Sequence, residues 1–231
     1  MTPGQYLAAV RLFEAKRLLL TTSLTVSDIV CSVGYNSVGT FTSRFTRAVG
    51  MSPTQYRHPE VSKFLVGIAP NFQRLPTFET IHRLKELCGA DRPGCGTITG
   101  TLALPSSVTP STVLVGVFDS PIPQSAPVAF QVLTGPEFTR LAITGVPPGR
   151  WTVIAVAEST AATPAAETLL VGTLRSPVTV ASGGISRASL QLRELRPTDP
   201  PIAVTLAPQL DLQRSRKNVT RPPYHERRPA A

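Results

Sequence analysis

Apolar positions in the first fifty residues recur at helical spacing. Leu7, Val10, Ala15, Leu18 and Leu19 are separated largely by Arg11, Glu14, Lys16 and Arg17, a pattern that predicts an amphipathic helix. Thr2-Pro3 starts it, with a hydroxyl to cap the helix and a proline at its first position. Thr21-Thr22-Ser23 ends it. A second helix starts at Thr25, carries Val26, Ile29, Val30 and Val33, and stops at Gly34. Asn36 or Ser37 caps a third, with Phe41, Phe45 and Val49 on one face and Gly50 as its stop. A short helix, a glycine turn and a second helix with a basic face make a helix-turn-helix arrangement.

From Gly96 the period shortens to that of strands. Thr97–Leu104, Thr112–Phe118, Val128–Leu133, Phe138–Thr144, Trp151–Ala157, Leu169–Leu174, Ser186–Leu195 and Ile202–Leu206 read as short strands separated by turn signals. Ala188, Leu190 and Leu192 alternate with polar neighbours, which leaves one face wet. Val153, Ile154, Ala155 and Val156 are continuously apolar, as in a central strand covered on both faces. This pattern predicts a β-sandwich. Between the two regions, Thr77 caps one more helix from Phe78 to Cys88, with Ile81, Leu84 and Leu87 on a face and Gly89 as the stop. The expected fold is α + β in two domains. A three-helix helix-turn-helix half-domain (1–58) is followed by a connector with one helix (59–95), an all-β sandwich (96–207) and a basic tail (208–231) expected to be disordered.

Charge sharpens this division. The 231 residues carry a formal +9. Residues 1–58 hold +4 (six Arg and Lys against Glu14 and Asp28), residues 59–212 balance to zero, and residues 213–231 hold +5. Two basic ends around a neutral body fit a polyanion-binding head and a basic tail. Three cysteines point to a reduced compartment. No apolar run approaches the roughly 18 residues of a membrane span, and no secretory signal pattern opens the chain. The expectation is a soluble, cytoplasmic protein without membrane contact.

The third helix carries the candidate chemistry. Opposite Phe41 and Phe45, it presents Val38, Gly39, Thr42 and Ser43 to base edges, with Asn36, Ser37, Arg44 and Arg47 on phosphates of double-stranded DNA. Catalysis has little to stand on. His58, His82 and His225 sit near no nucleophile, and no phosphate loop or dinucleotide fingerprint occurs. Gly34-Tyr35-Asn36-Ser37-Val38-Gly39 imitates a nucleophile elbow with one residue too many, after a helix rather than a strand. His82, Cys88 and Cys95 match no paired zinc spacing. No catalytic residue, metal or cofactor is expected.

At these residues the chain resembles the AraC/XylS family of bacterial transcription activators. The matching positions are Tyr6-Leu7, Arg11-Leu12, Ala15, Leu18-Leu19, Ile29, Gly34-Tyr35, Phe41, Arg44-Phe45, Gly50, Ser52-Pro53 and Tyr56-Arg57. The resemblance implies that the helix starting near Asn36 reads the major groove. Gly39 departs from the usual polar residue there and costs roughly 1 kcal/mol of helix propensity. Met1-Thr2-Pro3-Gly4-Gln5-Tyr6 echoes Met51-Ser52-Pro53-Thr54-Gln55-Tyr56, a motif that in the family closes each of two helix-turn-helix units. The chain thus begins at the close of a first unit, either because the true start lies upstream or because the half-domain is degraded; the first is favoured. Phe138 to Ala155, with its Val-Pro-Pro-Gly-Arg-Trp-Thr-Val core, resembles transthyretin-like or carboxypeptidase-regulatory-like sandwiches. Together these imply a sequence-specific DNA-binding transcriptional regulator of the AraC type, truncated at its N-terminus and either an activator or a repressor, whose β-sandwich senses a small-molecule effector, forms a homodimer or stabilises the chain. The alternative is a β-sandwich binding or scaffold protein with a non-functional helix-turn-helix remnant.

Overall fold

The computed structural model describes residues 2–69, 72–77, 79–81, 83, 93–105, 110–134, 139–159 and 168–206. Five helices precede the first strand: α1 (Pro3–Thr21), α2 (Val26–Ser32), α3 (Val38–Val49), α4 (Pro53–Tyr56) and α5 (Pro59–Lys63). Their starts follow from local chemistry. The Thr2 and Ser52 hydroxyls accept from the backbone N–H groups of Gln5 and Gln55, whose side chains accept in return from the two cap N–H groups. The repeated Met-Thr/Ser-Pro-x-Gln-Tyr string is therefore one capping box used twice. Thr25 and Asp28 form a third box, and Ser37 rather than Asn36 caps α3. Gly50 ends α3 at φ 87°, in the left-handed region that glycine takes without strain.

Helix α1 buries Ala9, Leu12, Phe13, Ala15, Lys16 and Leu19. This corrects the stripe read from the sequence. Leu7 is 50% exposed, whereas Lys16 is only 1% exposed. Phe13, Ala15 and Leu19 of α1 share one core with Ile29, Val33, Phe41, Phe45 and Tyr56, and also with Leu65, Ala69 and Ala203 from the β region.

The strands form three sheets among the described residues. The first has the order β12-β1-β2, all antiparallel, from β1 (Leu65–Ala69), β2 (Phe72–Arg74) and β12 (Ile202–Thr205). The second has the order β10-β3-β6. In it β3 (Gly96–Ala103) pairs antiparallel with β6 (Arg140–Val146) and parallel with β10 (Ile185–Gln191). The third runs β11 (Arg193–Glu194), β8 (Thr168–Thr173), β7 (Gly149–Ser159), β4 (Pro110–Phe118), β5 (Ala129–Thr134), with β9 (Val178–Val180) paired to β7.

The third sheet is the middle layer. Along β7, Val153, Ala155 and Ala157 pack with Ile98, Leu102, Ile143 and Leu190 of the second sheet. The alternate residues Ile154 and Val156 pack with Val66, Ile68, Ile202 and Val204 of the first. The unbroken apolar run is thus a strand covered on both faces. The first sheet is covered twice as well, since Leu65, Ala69 and Ala203 face the helices. The order through the molecule is helices, first sheet, third sheet, second sheet.

Several expectations change in detail. The segment 59–95 carries α5, β1 and β2 besides the helix expected from Phe78. Of that helix, Glu79–Ile81 and Arg83 are described as helical, and the Thr77 hydroxyl accepts from Thr80 N as its cap should. The remainder, with His82 and Cys88, lies outside the described residues, as do Phe138 and the tail from 207. The single strand expected over Ser186–Leu195 is two. It breaks at Leu192, whose N–H bonds Ala103 O while the chain passes from β10 to β11, in another sheet. The strand at Ile202 pairs with β1 rather than with the sandwich.

Candidate nucleic-acid interface

Helices α2 and α3 are joined by a turn at Gly34, where φ is 78°. Phe41, Phe45 and Val49 are essentially inaccessible to solvent, and with Ile29 and Val33 they fix α3 against α2. Aromatic edges lock the arrangement: Tyr35 meets Phe41 at 5.2 Å and Phe45 meets Tyr56 at 5.6 Å between ring centroids, both edge-on. The Tyr56 hydroxyl is buried without a hydrogen-bond partner among the described residues, and burial pushes its pKa up.

The opposite side of α3 faces solvent. Thr40, Ser43, Arg44 and Arg47 are exposed along one stripe, with Gly39 and Thr46 on one flank. Of the residues expected at base edges, Val38 is 41% exposed and Gly39 and Ser43 are exposed. Thr42 is only half-exposed, one position round from the buried face. Of those expected at phosphates, Asn36, Arg44 and Arg47 are exposed, and the Ser37 hydroxyl is engaged in capping through Thr40 N at 3.3 Å. Thr40 and Thr46 did not stand out in the sequence. Their offset from Phe41, Phe45 and Val49 is the signal that finds them.

The six head cations divide by role. Lys16 is buried, and its Nζ donates to Ala203 O at 2.6 Å, Gln124 O at 2.9 Å and Gln124 Oε1 at 3.1 Å. It is withdrawn from any ligand, which corrects its place in the basic head. Arg17 is paired with Glu14, whose carboxyl the guanidinium holds below its usual range. Arg11 lies over the Tyr35 ring, 5.7 Å from the centroid. Arg57 donates to Leu19 O and Leu24 O, holding the end of α1 and the turn before α2. Arg44 and Arg47 make no ion pair or hydrogen bond among the described residues, and α3 and α4 contain no acidic residue. The solvent face of α3 therefore carries two cations with no acidic residue on α3 or α4 beside them.

Elsewhere the chemistry is sparse. Among the described residues no group of three His, Cys, Asp or Glu side chains gathers as metal ligands, and no helix is long and apolar enough to cross a membrane. A groove of about 660 Å³ runs between α1 and the turn after β11, with Tyr6, Val10, Phe13, Phe72 and Pro201 in its walls.

Residues 1–58 match the protein family described as "Helix-turn-helix domain". They carry an AraC-type helix-turn-helix domain. Over this stretch the chain is 43% identical across 58 residues to the HTH-type transcriptional activator RhaR of Escherichia coli K12, covering 25% of this chain and 21% of that one. It is 39% identical across 57 residues to the lactose operon transcription activator of Staphylococcus xylosus, covering 25% and 20%. The chain thus spans about a fifth of the length of these curated relatives. A solved DUF4876 family protein from Bacteroides thetaiotaomicron aligns over 43% of this chain and 24% of its own. Its TM-score is 0.27 at 15% identity, too slight to bear on fold or function.

Proposed function

We propose that this chain is a DNA-binding transcriptional regulator, not an enzyme, acting in the cytoplasm. The observation that carries the reading is the solvent stripe of α3. Arg44 and Arg47, without an ion pair or hydrogen bond among the described residues, share this stripe with Ser43, and the helix is braced from behind by Phe41, Phe45 and Val49. In this reading α3 enters the major groove. Arg44 and Arg47, with Asn36 and Ser37 at its start, meet phosphates, while Val38, Gly39, Thr42 and Ser43 face base edges. The relatives named as activators favour activation. The β region shares a core with the head and in this reading is the place for effector sensing or homodimer formation; a small-molecule effector would be sought in the groove beside α1.

One observation favours the alternative of a β-sandwich binding protein with an inactive remnant. Val38 and Gly39 offer no hydrogen-bonding side chain and Thr42 is half-buried, so among the four residues expected at base edges direct readout falls largely to Ser43. Selection from a pool of randomised duplexes separates the two. A regulator enriches a motif, and Ser43→Ala or Thr42→Ala changes that motif. If the chain shows no salt-sensitive binding to any duplex, the remnant reading holds.

A further inference from the structure

Beside helix α1, where the head meets the β region, lies the groove of about 660 Å³. Tyr6, Val10, Phe13 and Arg17 follow one another at helical spacing along its wall, over roughly 16 Å of helix. Its volume falls within the roughly 300–1,000 Å³ of small-molecule sites, which favour such junctions.

The apolar part of the groove is built from packed aromatics. Phe72 meets Phe13 edge-on, with ring centroids 5.9 Å apart. The Phe72 ring lies over β1 at Gly67, where a Cβ would stand 2.6 Å from it. The missing side chain lets the ring lie down on the strand, which fixes one aromatic wall. Val10 continues the apolar wall on α1, and Pro197 and Pro201 stand across from it. Tyr6 precedes Phe13 by two helical turns, roughly 10 Å along the axis. Its hydroxyl has no hydrogen-bond partner among the described residues.

Charge narrows the ligand further. Glu14, Arg17 and Asp199 are the charged residues described in the walls, and each already has a partner. Glu14 accepts from Arg17 Nε at 2.9 Å. Asp199 accepts from both terminal nitrogens of Arg193, at 2.7 and 2.6 Å, and from Arg196 N at 2.7 Å. An ionic ligand must break one of these pairs or hold its own charge without a counter-ion beside apolar walls. A neutral one does neither.

We propose that the groove binds a neutral aromatic molecule of two fused rings bearing a hydroxyl or carbonyl. The rings lie against Phe13 and Phe72 and over Val10, and the polar group bonds the Tyr6 hydroxyl. This rests on the reading of the groove as the effector site and gives that site its ligand chemistry.

The test is equilibrium dialysis of the full chain against tryptophol, with indoleacetate and tryptamine as anionic and cationic analogues on the same ring system. Tryptophol should bind at a single site, and each charged analogue at least roughly tenfold more weakly. Val10→Trp, which fills the groove from a half-buried position, should abolish binding. Tyr6→Phe, which keeps the ring and removes only the hydroxyl, should weaken it roughly fivefold, as for one hydrogen bond. Absence of tryptophol binding, equal binding of either charged analogue, or unchanged binding by either variant overturns the proposal. Duplex affinity is measured on the same samples with and without saturating tryptophol. If tryptophol binds as described and duplex affinity does not change, the ligand chemistry stands and the effector reading falls.

Discussion

Lys16 Nζ donates to the carbonyl oxygen of Ala203 at 2.6 Å, joining the first helix to the last described strand across 187 residues of sequence. The ammonium also bonds both oxygens of Gln124, in the loop between β4 and β5. No carboxylate is among these partners. The site is a buried cation solvated by amide oxygens, which favour its charge, while burial works against it and pushes the group down from 10.5 to about 7.

This has a pH signature. Between the folded value of about 7 and the unfolded value of 10.5, the unfolded chain holds the proton and the folded chain does not. Stability should therefore rise as pH increases through that window, by a few kcal/mol at most, and be flat below it with respect to this group. Lys16→Met should abolish that rise. Denaturant midpoints of both proteins at pH 7 and pH 9.5 check it; parallel curves would mean that Lys16 keeps its proton throughout.

Phe45→Ala should cost about 3–5 kcal/mol, because the ring is fully buried and touches Phe41 and Tyr56. Equilibrium urea unfolding reads this directly. A loss below about 1 kcal/mol would show that the head relaxes around the cavity.

Gly39→Ala should stabilise the protein by about 0.5–1 kcal/mol. A Cβ at this position in α3 meets only the Ser37 hydroxyl, at 3.9 Å, so the gain in helix propensity is not offset by a clash. A lowered thermal midpoint would be the contrary result.

Arg44→Ala should weaken binding to every duplex alike and lower the salt slope by about one unit, as expected for a single phosphate contact. A changed sequence preference with an unchanged slope would instead move Arg44 to a base edge.

A fragment covering 93–207 should fold poorly. It retains Ile154, Val156, Ile202 and Val204 but lacks the Val66 and Ile68 side chains that cover them. The whole chain should unfold in one thermal transition, since one core joins α1, α3 and β1. A cooperative transition in the fragment would show that the sandwich stands without β1.

Much of this was legible in the sequence where the determinants are local. Thr2, Thr25 and Ser37 cap, Gly34 and Gly50 stop, and the spacing of Phe41, Phe45 and Val49 gives the buried face of α3. The doubly covered strand at Val153 declares itself because neither face needs polar residues. Strand β1 was missed for the same reason. Leu65-Val66-Gly67-Ile68-Ala69 is buried throughout, so it has no alternation, and five apolar residues after a helix carry no period of their own. The inward turn of Lys16 was not legible either. A lysine beside Glu14 and Arg17 reads as a solvated face, and the oxygens that receive it lie 108 and 187 residues away. The solvent side of α3 is legible in part from its offset to Phe41 and Phe45: Val38, Gly39, Ser43, Arg44 and Arg47 are exposed, whereas Thr42 is half-exposed and Thr40 stands in the stripe.

The antiparallel pairing of Leu65 with Thr205 also imposes a timetable on synthesis. A nascent chain emerging from the ribosome has its helical head long before β12 exists, yet the head's seat includes Ala203. Until that strand arrives, the undersides of α1 and β1 have no permanent cover, and a pairing this distant in sequence closes slowly. The interval between translating residue 65 and residue 205 is when the chain is most open to capture by chaperones or to aggregation, and a pause late in translation would lengthen it.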